Sequence, residues 1–282
     1  MTVVAQGSGR LEAIARPRSV FQRTLNLTRE LAITQFKLKY TGSALGYVWS
    51  LVKPLMLFGI MYLVFSVLLK TGGSDPDFPV ELLFGIVIWT FFVESTTLAM
   101  NAIAGAGELI RKAYFPRWIL VVSSTASAAL SFVINTLLVV VVTALIGKLH
   151  LSVSSLLAPL YYIELIVLVL GLSLILSALF VFFRDLGHIW EIASLVLFYG
   201  SAVIYPFVRV PSYLRHIAGL NPVLQIVQDV RHSLVDAANP LIPSMFTSIG
   251  WFVVIPILIT FVVLGIGFLV FNRLTPKFAE AL

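Results

Sequence analysis

Long apolar stretches separated by short polar segments dominate the chain from residue 45 onward. Six of these stretches are near or above the ~20 residues that a helix needs to cross ~30 Å of hydrocarbon. They lie at about 45–69, 80–100, 118–147, 156–182, 189–205 and 245–271. The pattern predicts an all-α polytopic membrane protein with six transmembrane helices, and the even count puts both chain termini on one side of the membrane.

Residues 17–44, before the first span, predict a helix of a different kind. Apolar positions recur at helical spacing among basic residues, as at Phe21, Leu25 and Phe36. A basic helix with one apolar side lies in the plane of the membrane interface, with its cations near anionic headgroups. Residues 1–16 carry no such pattern and are expected to be disordered.

Residues 101–118 connect the second and third spans and predict a short amphipathic helix. Ile103, Ala106, Ile110 and Ala113 recur on one side at helical spacing. A plain turn between two spans needs only a few polar residues, so this segment is longer and more patterned than topology requires.

The other sides of this helix carry charge and then a stop signal. Glu108, Arg111 and Lys112 project away from the apolar side, and Pro116 ends the helix because its ring removes a donor and restricts Phe115. Such a helix can lie on the membrane surface, where its positive charge fixes topology, or dock on a soluble partner. The pattern alone leaves both open.

Residues 206–243 form a connection too long for a turn and too small for a domain. Two short helical patterns, 212–219 and 223–235, are punctuated by prolines. Backbone of this kind enters a bilayer only where protein or water satisfies its polar groups. The segment therefore predicts either a re-entrant helix pair at the outer mouth or a surface pair lying on the headgroups.

Composition supports a membrane protein. Of the residues 59% are hydrophobic and 11% are charged, and the mean hydropathy is +1.01, which excludes a soluble globular domain. The net charge of +6 is spread over the ends of the apolar stretches, so it does not indicate nucleic-acid binding. The basic residues concentrate in the N-terminal segment and in the connections on the same side, which predicts cytoplasmic termini.

The search for catalytic chemistry is mostly negative. The sequence holds no cysteine and no G-x-x-x-x-G-K-[ST] motif, so ATP is not bound by that route. The four histidines are isolated and lack metal-ligand spacing. Among acids in or near apolar stretches, Glu164 and Glu191 lie near span ends, whereas Glu94 lies deeper and is expected to face protein or a cavity.

Three classes of function compete for this pattern. A membrane enzyme such as a lipid-linked glycosyltransferase needs acids and metal ligands grouped at one face, but the acids here are single and scattered. A proton-coupled carrier needs several buried ionisable groups and repeated halves, which the sequence lacks. A transport path driven from outside the chain fits best.

An ordered set of short motifs resembles one family along nearly the whole chain. The motifs are Phe36-Lys37-Leu38-Lys39-Tyr40, Gly46-Tyr47-Val48-Trp49-Ser50, Lys53-Pro54, Leu109-Ile110-Arg111-Lys112, Phe115-Pro116, Phe183-Arg184-Asp185-Leu186, Tyr205-Pro206, Leu220-Asn221-Pro222 and Arg231. Together they resemble the ABC-2 type permeases, the export subunits for polysaccharide, O-antigen and teichoic acid. Within that family the chain is most similar to the actinobacterial galactan exporters.

The resemblance implies a half-transporter in the bacterial plasma membrane that works as a homodimer. Two copies of a separate nucleotide-binding subunit would hold ATP and Mg²⁺, while this chain binds no cofactor and is not itself an enzyme. It also implies that residues 101–118 form the coupling helix that contacts the ATPase. The candidate contacts are Glu108, Ile110, Arg111, Lys112 and Phe115, and Arg184 with Asp185 form a candidate cytoplasmic gate.

The resemblance also implies a substrate, a long glycan on a lipid diphosphate. Aromatic rings offer weak, register-free contacts to sugar faces, although aromatic belts at the interfaces account for most such rings. The candidate residues for the glycan path are Trp89, Phe92, Glu94, Tyr199 and Tyr205. The alternative is an ABC-2 exporter of drugs or other hydrophobic small molecules, with a membrane glycosyltransferase less favoured.

Overall fold

A computed structural model describes residues 20–42, 46–70, 76–112, 115–150, 152–235 and 254–281. The described residues form helices and connecting turns without a strand, which confirms the all-helical prediction. The α-helices are α1 Val20–Tyr40, α2 Trp49–Met61, α3 Phe78–Ala104, α4 Gly107–Lys112, α5 Trp118–Leu145, α6 Ala158–Phe180, α7 Leu186–Gly200, α8 Ser212–Ala218, α9 Pro222–Leu234, α10 Val254–Leu274 and α11 Phe278–Ala281. The predicted disordered segment 1–16 lies outside the described residues.

Five helical segments of the described chain are long and apolar enough to cross a membrane. They are Trp49–Leu68, Phe78–Ala104, Trp118–Leu145, Val153–Phe180 and Val254–Lys277. The predicted span at 189–205 corresponds to α7, an apolar helix of 15 residues. Its length of about 22 Å is short of the ~30 Å hydrocarbon core. A sixth full span therefore remains a prediction.

The helix α3 is the centre of the bundle and packs against α5 and α6. Its apolar residues leave no polar side, and residues such as Leu82, Phe84 and Ile86 have at most 1% of their surface exposed. A helix that is apolar all round is stable only when it is enclosed by other helices or lipid. Here α5, α6 and the residues after α7 enclose it.

The helices α6 and α10 cross in close contact at two glycines. A Cβ on Gly267 would lie 2.4 Å from the carbonyl oxygen of Gly171, and one on Gly171 would lie 2.7 Å from Leu264 Cα. Only glycine allows the two backbones to approach this closely, as at other small-residue crossings between membrane helices.

We use two names for the ends of the bundle. The basal end holds the α3–α5 connection, the turn between α6 and α7, and the C-terminal helix α11. Its side chains form one apolar group, the basal cluster, whose buried members are Ala99, Ile103, Ile110, Leu120, Val121, Leu174, Ala178, Val181, Phe271 and Phe278. The apical end holds the 146–157 connection and the C-terminal end of α9.

The predicted interfacial helix corresponds to α1, which packs along α5. Leu31 packs against the basal cluster, and the Gln35 Nε2 atom donates to Ser123 Oγ at 3.5 Å. Lys39, two turns further along α1 than Leu31, donates to Ser131 Oγ at 3.5 Å. These contacts advance along α5 away from the basal end, so α1 is inclined along α5.

The two helices predicted between residues 206 and 243 are present as α8 and α9. Nearly every residue of α9 is buried, including its polar ones. At the apical end, the backbone N of His150 donates to the carbonyl of Leu234 at 3.2 Å, and Ser155 Oγ donates to that of Ser233 at 2.6 Å. A helix enclosed in this way by protein favours the re-entrant arrangement over a helix lying on the surface.

Candidate functional site

The connection between α3 and α5 contains the predicted docking helix in two parts. The helix α3 continues to Ala104, and after Gly105 the separate six-residue helix α4 follows. The expected single helix across 101–118 is therefore divided at Gly105. This break turns α4 across the basal end.

One side chain of α4 anchors it to the bundle. Ile110 is only 8% exposed and belongs to the basal cluster, and Phe115 packs against the same cluster. Glu108 is exposed on the outer side of α4. The side chains of Arg111 and Lys112 lie outside what the structure describes. Of the five predicted coupling residues, Ile110 and Phe115 thus form an apolar anchor, and Glu108 lies on the outer side.

Arg117 connects this region to the C-terminus, a role that the sequence pattern did not indicate. Its Nη1 atom donates to the backbone carbonyl of Thr275, and its guanidinium lies 6.0 Å from the Phe278 ring centroid. The helix α11 contacts α4 directly. The start of α5, the helix α4 and the chain end therefore form one packed unit.

The predicted gate residues lie in the basal turn between α6 and α7. Arg184 is exposed, and its guanidinium lies 5.2 Å from the Phe180 ring centroid. Asp185 occupies the N-cap position of α7 but makes no side-chain capping hydrogen bond. Both residues are thus at the same end as α4, with the charge of Arg184 held against an aromatic face.

Glu94, predicted on the glycan path, forms an ion pair with Lys39 of α1. Their side chains are 25% and 23% exposed, respectively. Glu94 lies ten residues from the end of α3, or about 15 Å from the basal end. A Lys–Glu pair at that depth lowers the cost of placing either charge among apolar helices.

The predicted path residues Trp89 and Phe92 are buried inside the bundle. Trp89 is 7% exposed and Phe92 is 2% exposed, and their ring centroids are 5.1 Å apart. Trp89 also packs on Phe198 at 5.4 Å, and Phe92 packs on Trp190 at 6.0 Å. Within one chain these rings join α3 to α7.

Tyr199 and Tyr205 lie at the apical end of α7. Unlike the buried Trp89 and Phe92, Tyr199 is exposed and Tyr205 is half-buried. Tyr199 is 53% exposed, and its backbone carbonyl accepts a hydrogen bond from the Tyr205 hydroxyl at 2.5 Å. The exposed side of α7 also carries Ile192 and Val196. Of the predicted path residues, Tyr199 is therefore the one that faces outward from the chain.

The chain leaves α7 in a turn that explains why this helix is short. Ala202 has φ +49° and no exposed surface. A left-handed conformation at a non-glycine residue is uncommon and breaks a helix. The apolar stretch therefore continues past Gly200 without continuing as a helix.

Arg231 supports this turn, and the sequence pattern did not predict it. Its guanidinium is fully buried, with the Nη2 atom donating to the carbonyl of Val203 at 2.7 Å and the Nη1 atom to that of Ala202 at 3.0 Å. Its Nε atom donates to the carbonyl of Glu81 at 3.3 Å. Burial lowers the pKa of Arg231, and the Glu81 carboxylate opposes that change. One arginine thus joins α9, α3 and the end of α7.

Gly85 provides the space for this arginine. A Cβ at Gly85 would lie 3.1 Å from the carbonyl oxygen of Val203 and 3.2 Å from Arg231 Nη2. The local signal for Arg231 was weak, because a single arginine in a short outer helix is equally typical of an exposed charge. Only its apolar neighbours Val227, Val230 and Leu234 indicated burial.

The described residues contain no group of three or more His, Cys, Asp or Glu side chains that could hold a metal ion. The features that remain are several long apolar helices, a short basal helix anchored by one isoleucine, and a buried helix at the apical end. These features define a multi-pass α-helical membrane protein.

The chain belongs to the ABC-2 type transporter family, whose sequence pattern matches residues 26–235. The chain is 28% identical over 247 residues to an O-antigen export system permease protein RfbA of Klebsiella pneumoniae, covering 87% of this chain and 91% of that protein. It is 27% identical to an RfbA protein of Myxococcus xanthus, covering 76% and 84%. It is 20% identical to the polysialic acid transport protein KpsM of Escherichia coli, covering 77% and 84%.

Proposed function

We propose that this chain is the membrane subunit of an ATP-driven exporter that moves a lipid-linked polysaccharide from the cytoplasm across the bacterial plasma membrane. The observation that carries this proposal is the near end-to-end similarity to permeases named for O-antigen export, over 87% of this chain and 91% of the relative. A more distant relative is named for polysialic acid transport, which supports a glycan as the common class of cargo.

The energy comes from a separate nucleotide-binding subunit, present in two copies, that holds ATP and Mg²⁺. The sequence of this chain has no phosphate-binding loop of its own, which supports that division of labour. The helix α4 is the contact, because it presents Glu108 outward while Ile110 is held in the basal cluster.

The basal cluster explains how a movement of α4 is transmitted to the other helices of the bundle. Its members come from α3, α4, α5, α6, α10 and α11. Interiors packed in this way move as discrete units, so two positions of α4 correspond to two arrangements of the helices around it. The bound ATPase favours one arrangement by its differential contact with α4.

Two copies of the chain enclose the glycan path. The first span leaves residues such as Met56, Ile60 and Leu63 more than half exposed, and α7 leaves Ile192 and Tyr199 exposed. These sides meet in a homodimer, with Tyr199 and Tyr205 at the path and Arg184 and Asp185 near its cytoplasmic entrance. The cargo is a galactan, an O-antigen or a teichoic-acid-like polymer.

The basal end is cytoplasmic in this proposal. Basic residues of the described chain at that end include Arg111, Lys112, Arg117, Arg184, Arg273 and Lys277. Fewer lie at the apical connections, which follows the positive-inside rule.

A reconstituted system tests this function. The purified chain and a candidate partner ATPase are placed in proteoliposomes whose bilayer contains a lipid-linked glycan, and glycan on the far leaflet is measured with an impermeant lectin. We expect ATP-dependent transfer that needs both proteins. Transfer of a hydrophobic dye without transfer of glycan would overturn the proposal in favour of a small-molecule exporter. Transfer by this chain alone would overturn the coupling mechanism.

A further inference from the structure

An apolar groove of about 500 Å³ follows the basal half of the bundle, between α5, α6 and α10. Its lining includes Trp118 of α5, Leu174 of α6, and Phe261, Gly265 and Phe268 of α10. We call it the α10 groove. Apart from the indole N–H of Trp118, the side chains that line it carry no polar group. All three helices are long and apolar enough to cross a membrane, so the groove lies at the depth of the hydrocarbon.

Gly265 forms an open recess in this groove. A Cβ at Gly265 would meet no atom within 4 Å, whereas the neighbouring Gly267 is buried against α6. Phe261 and Phe268 lie one helical turn before and after Gly265, and both rings are more than half exposed. The missing side chain between two aromatic rings therefore leaves space that a flexible apolar chain can fill.

The α10 groove has the length of one leaflet of a bilayer. Phe261 lies 13 residues before the end of α10 at Leu274, or about 20 Å from the basal end. Trp118 is the first residue of α5 and lies at that end. One leaflet of hydrocarbon is ~15 Å thick, which is half of the ~30 Å core. The groove can therefore hold one acyl chain of a lipid whose headgroup lies at the basal surface.

Basic side chains lie where that headgroup would be. Arg117 precedes Trp118, and its Nη1 atom donates to the carbonyl of Thr275, just past the end of α10. This contact places the Arg117 guanidinium between the basal ends of α5 and α10. Arg273 is exposed in the last turn of α10. Among the described residues neither arginine forms an ion pair, and Glu280 is the one acid within 273–281.

We propose that the α10 groove binds one acyl chain of an anionic phospholipid whose phosphate pairs with Arg117 and Arg273. The apolar lining suits the acyl chain, and guanidinium groups are strong hydrogen-bond donors to phosphate. Trp118 is 36% exposed and lies between the two parts, as tryptophan favours the level between hydrocarbon and headgroups. A zwitterionic lipid could fill the same groove, but its cationic amine would weaken the attraction to the arginines.

The lipid would stabilise the basal end of the bundle. Arg117 already joins the start of α5 to the chain end, where Phe278 belongs to the basal cluster that holds Ile110 of α4. A phosphate at Arg117 would therefore reinforce the contacts around α4. The inference does not depend on which cargo the chain exports or on which side of the membrane the basal end lies.

Native mass spectrometry of the purified full-length chain tests the proposal. The chain is exchanged into mixed micelles with equal amounts of phosphatidylglycerol and phosphatidylcholine of matched acyl chains, and the retained lipid is counted. We expect one phosphatidylglycerol per chain, retained about tenfold over phosphatidylcholine. Gly265→Leu fills the recess and should lower retention of both lipids at least tenfold. Arg117→Gln with Arg273→Gln should still retain lipid but without preference for phosphatidylglycerol.

Two matched variants provide the controls. Val262→Leu enlarges an exposed side chain of α10 outside the groove, and Arg209→Gln removes an exposed charge from an apical connection. Both should retain phosphatidylglycerol as the wild type does. Wild-type protein without a preference for phosphatidylglycerol would overturn the proposal, whatever the variants do. Retention that survives in Gly265→Leu would also overturn it and would assign the lipid to another surface.

The same measurement identifies two other occupants. Displacement of phosphatidylglycerol from the wild type by an equal amount of lipid-linked glycan would assign the groove to the cargo carrier and overturn the proposal. Wild-type protein that retains no lipid and forms oligomers that Gly265→Leu dissociates would assign the groove to a second copy of the chain.

Discussion

The Arg231 guanidinium donates to the carbonyl oxygen of Val203 at 2.7 Å, across 28 residues of sequence. Because α7 ends at Gly200, the carbonyl of Val203 has no donor within a helix, and the Arg231 side chain supplies one. Buried carbonyls without a partner are rare in folded proteins. The turn after α7 therefore depends on one charged side chain of the buried helix α9.

Replacing Arg231 with Met should strongly destabilise the chain. The carbonyls of Ala202 and Val203 would lose their donors, and Glu81 would lose the neighbouring positive charge, with a cost of ~3–5 kcal/mol. Thermal unfolding of the purified protein should show a Tm at least 6 °C lower. Arg209→Met, at an exposed position in the same connection, should leave Tm within about 1 °C. Equal Tm values for the two variants would contradict the role given to Arg231.

Gly267→Ala should separate α6 from α10. The new Cβ would lie 2.4 Å from the Gly171 carbonyl oxygen, so one backbone must move, at a cost on the order of 2 kcal/mol. Gly265→Ala is the matched control, because a Cβ at Gly265 meets no atom within 4 Å. We expect a lower Tm for the first variant and an equal or higher Tm for the second, since alanine favours helix.

The double variant Glu108→Ala with Arg111→Ala should uncouple ATP hydrolysis from export. The α4 anchor Ile110 remains in place, so the fold should be kept and Tm unchanged. Export in the reconstituted system should fall at least tenfold while the partner still hydrolyses ATP. Asn272→Ala, an exposed change in the last turn of α10, serves as the basal control. Wild-type export by the double variant would refute the docking role of α4.

Trp89→Ala and Tyr199→Ala should have different effects: the first should lower stability, and the second should slow export. Trp89 is 7% exposed and stacks on Phe92, so its removal leaves a cavity that costs ~3–5 kcal/mol. Tyr199 is 53% exposed, so Tyr199→Ala should keep the wild-type Tm and slow glycan export. Unchanged export by a stable Tyr199→Ala variant would remove this residue from the path.

The stability of the chain should fall as pH rises from about 4 to about 6. Burial raises the pKa of Asp229 to about 6 from an ordinary value of 3.8, so the folded state binds a proton more tightly than the unfolded state. The stabilisation from protonated Asp229 is present below pH 4 and is lost as pH rises through 6. It amounts to on the order of 3 kcal/mol.

Asp229→Asn should remove the part of this pH dependence that comes from Asp229, because the amide stays neutral throughout. Tm measured from pH 4 to pH 8 checks both statements. A wild-type Tm that does not change across this range would contradict them. At pH 7 the variant should be at least as stable as the wild-type chain.

Local patterns predicted the helices whose ends are marked by proline or glycine. The prolines at 211 and 222 and the glycine at 219 separate α8 from α9, and the structure begins and ends both helices within one residue of the predicted limits. Pro116 likewise precedes α5. Proline and glycine end a helix through effects that extend over only a few residues. The sequence alone therefore locates these helix ends.

Contacts between distant residues were not predictable in this way. The stretch 189–205 is largely apolar, and the bonds from Arg231 to the carbonyls of Ala202 and Val203 support the part that leaves the helix. The burial of Trp89 and Phe92 was equally hidden, because α3 has no polar side to indicate which way each ring points. A helix that is apolar on all sides is predicted to be enclosed, but the pattern does not show which helices or lipids enclose it.

The basal cluster connects the six-residue helix α4 with the first and the last described helices, α1 and α11. Leu31 of α1 and Phe278 of α11 touch the same apolar group as Ile110. A binder raised against the C-terminal helix, or a truncation that removes it, would therefore change how firmly α4 is seated without touching α4 itself. Tags and fusions at the C-terminus of this chain should accordingly be joined through long linkers.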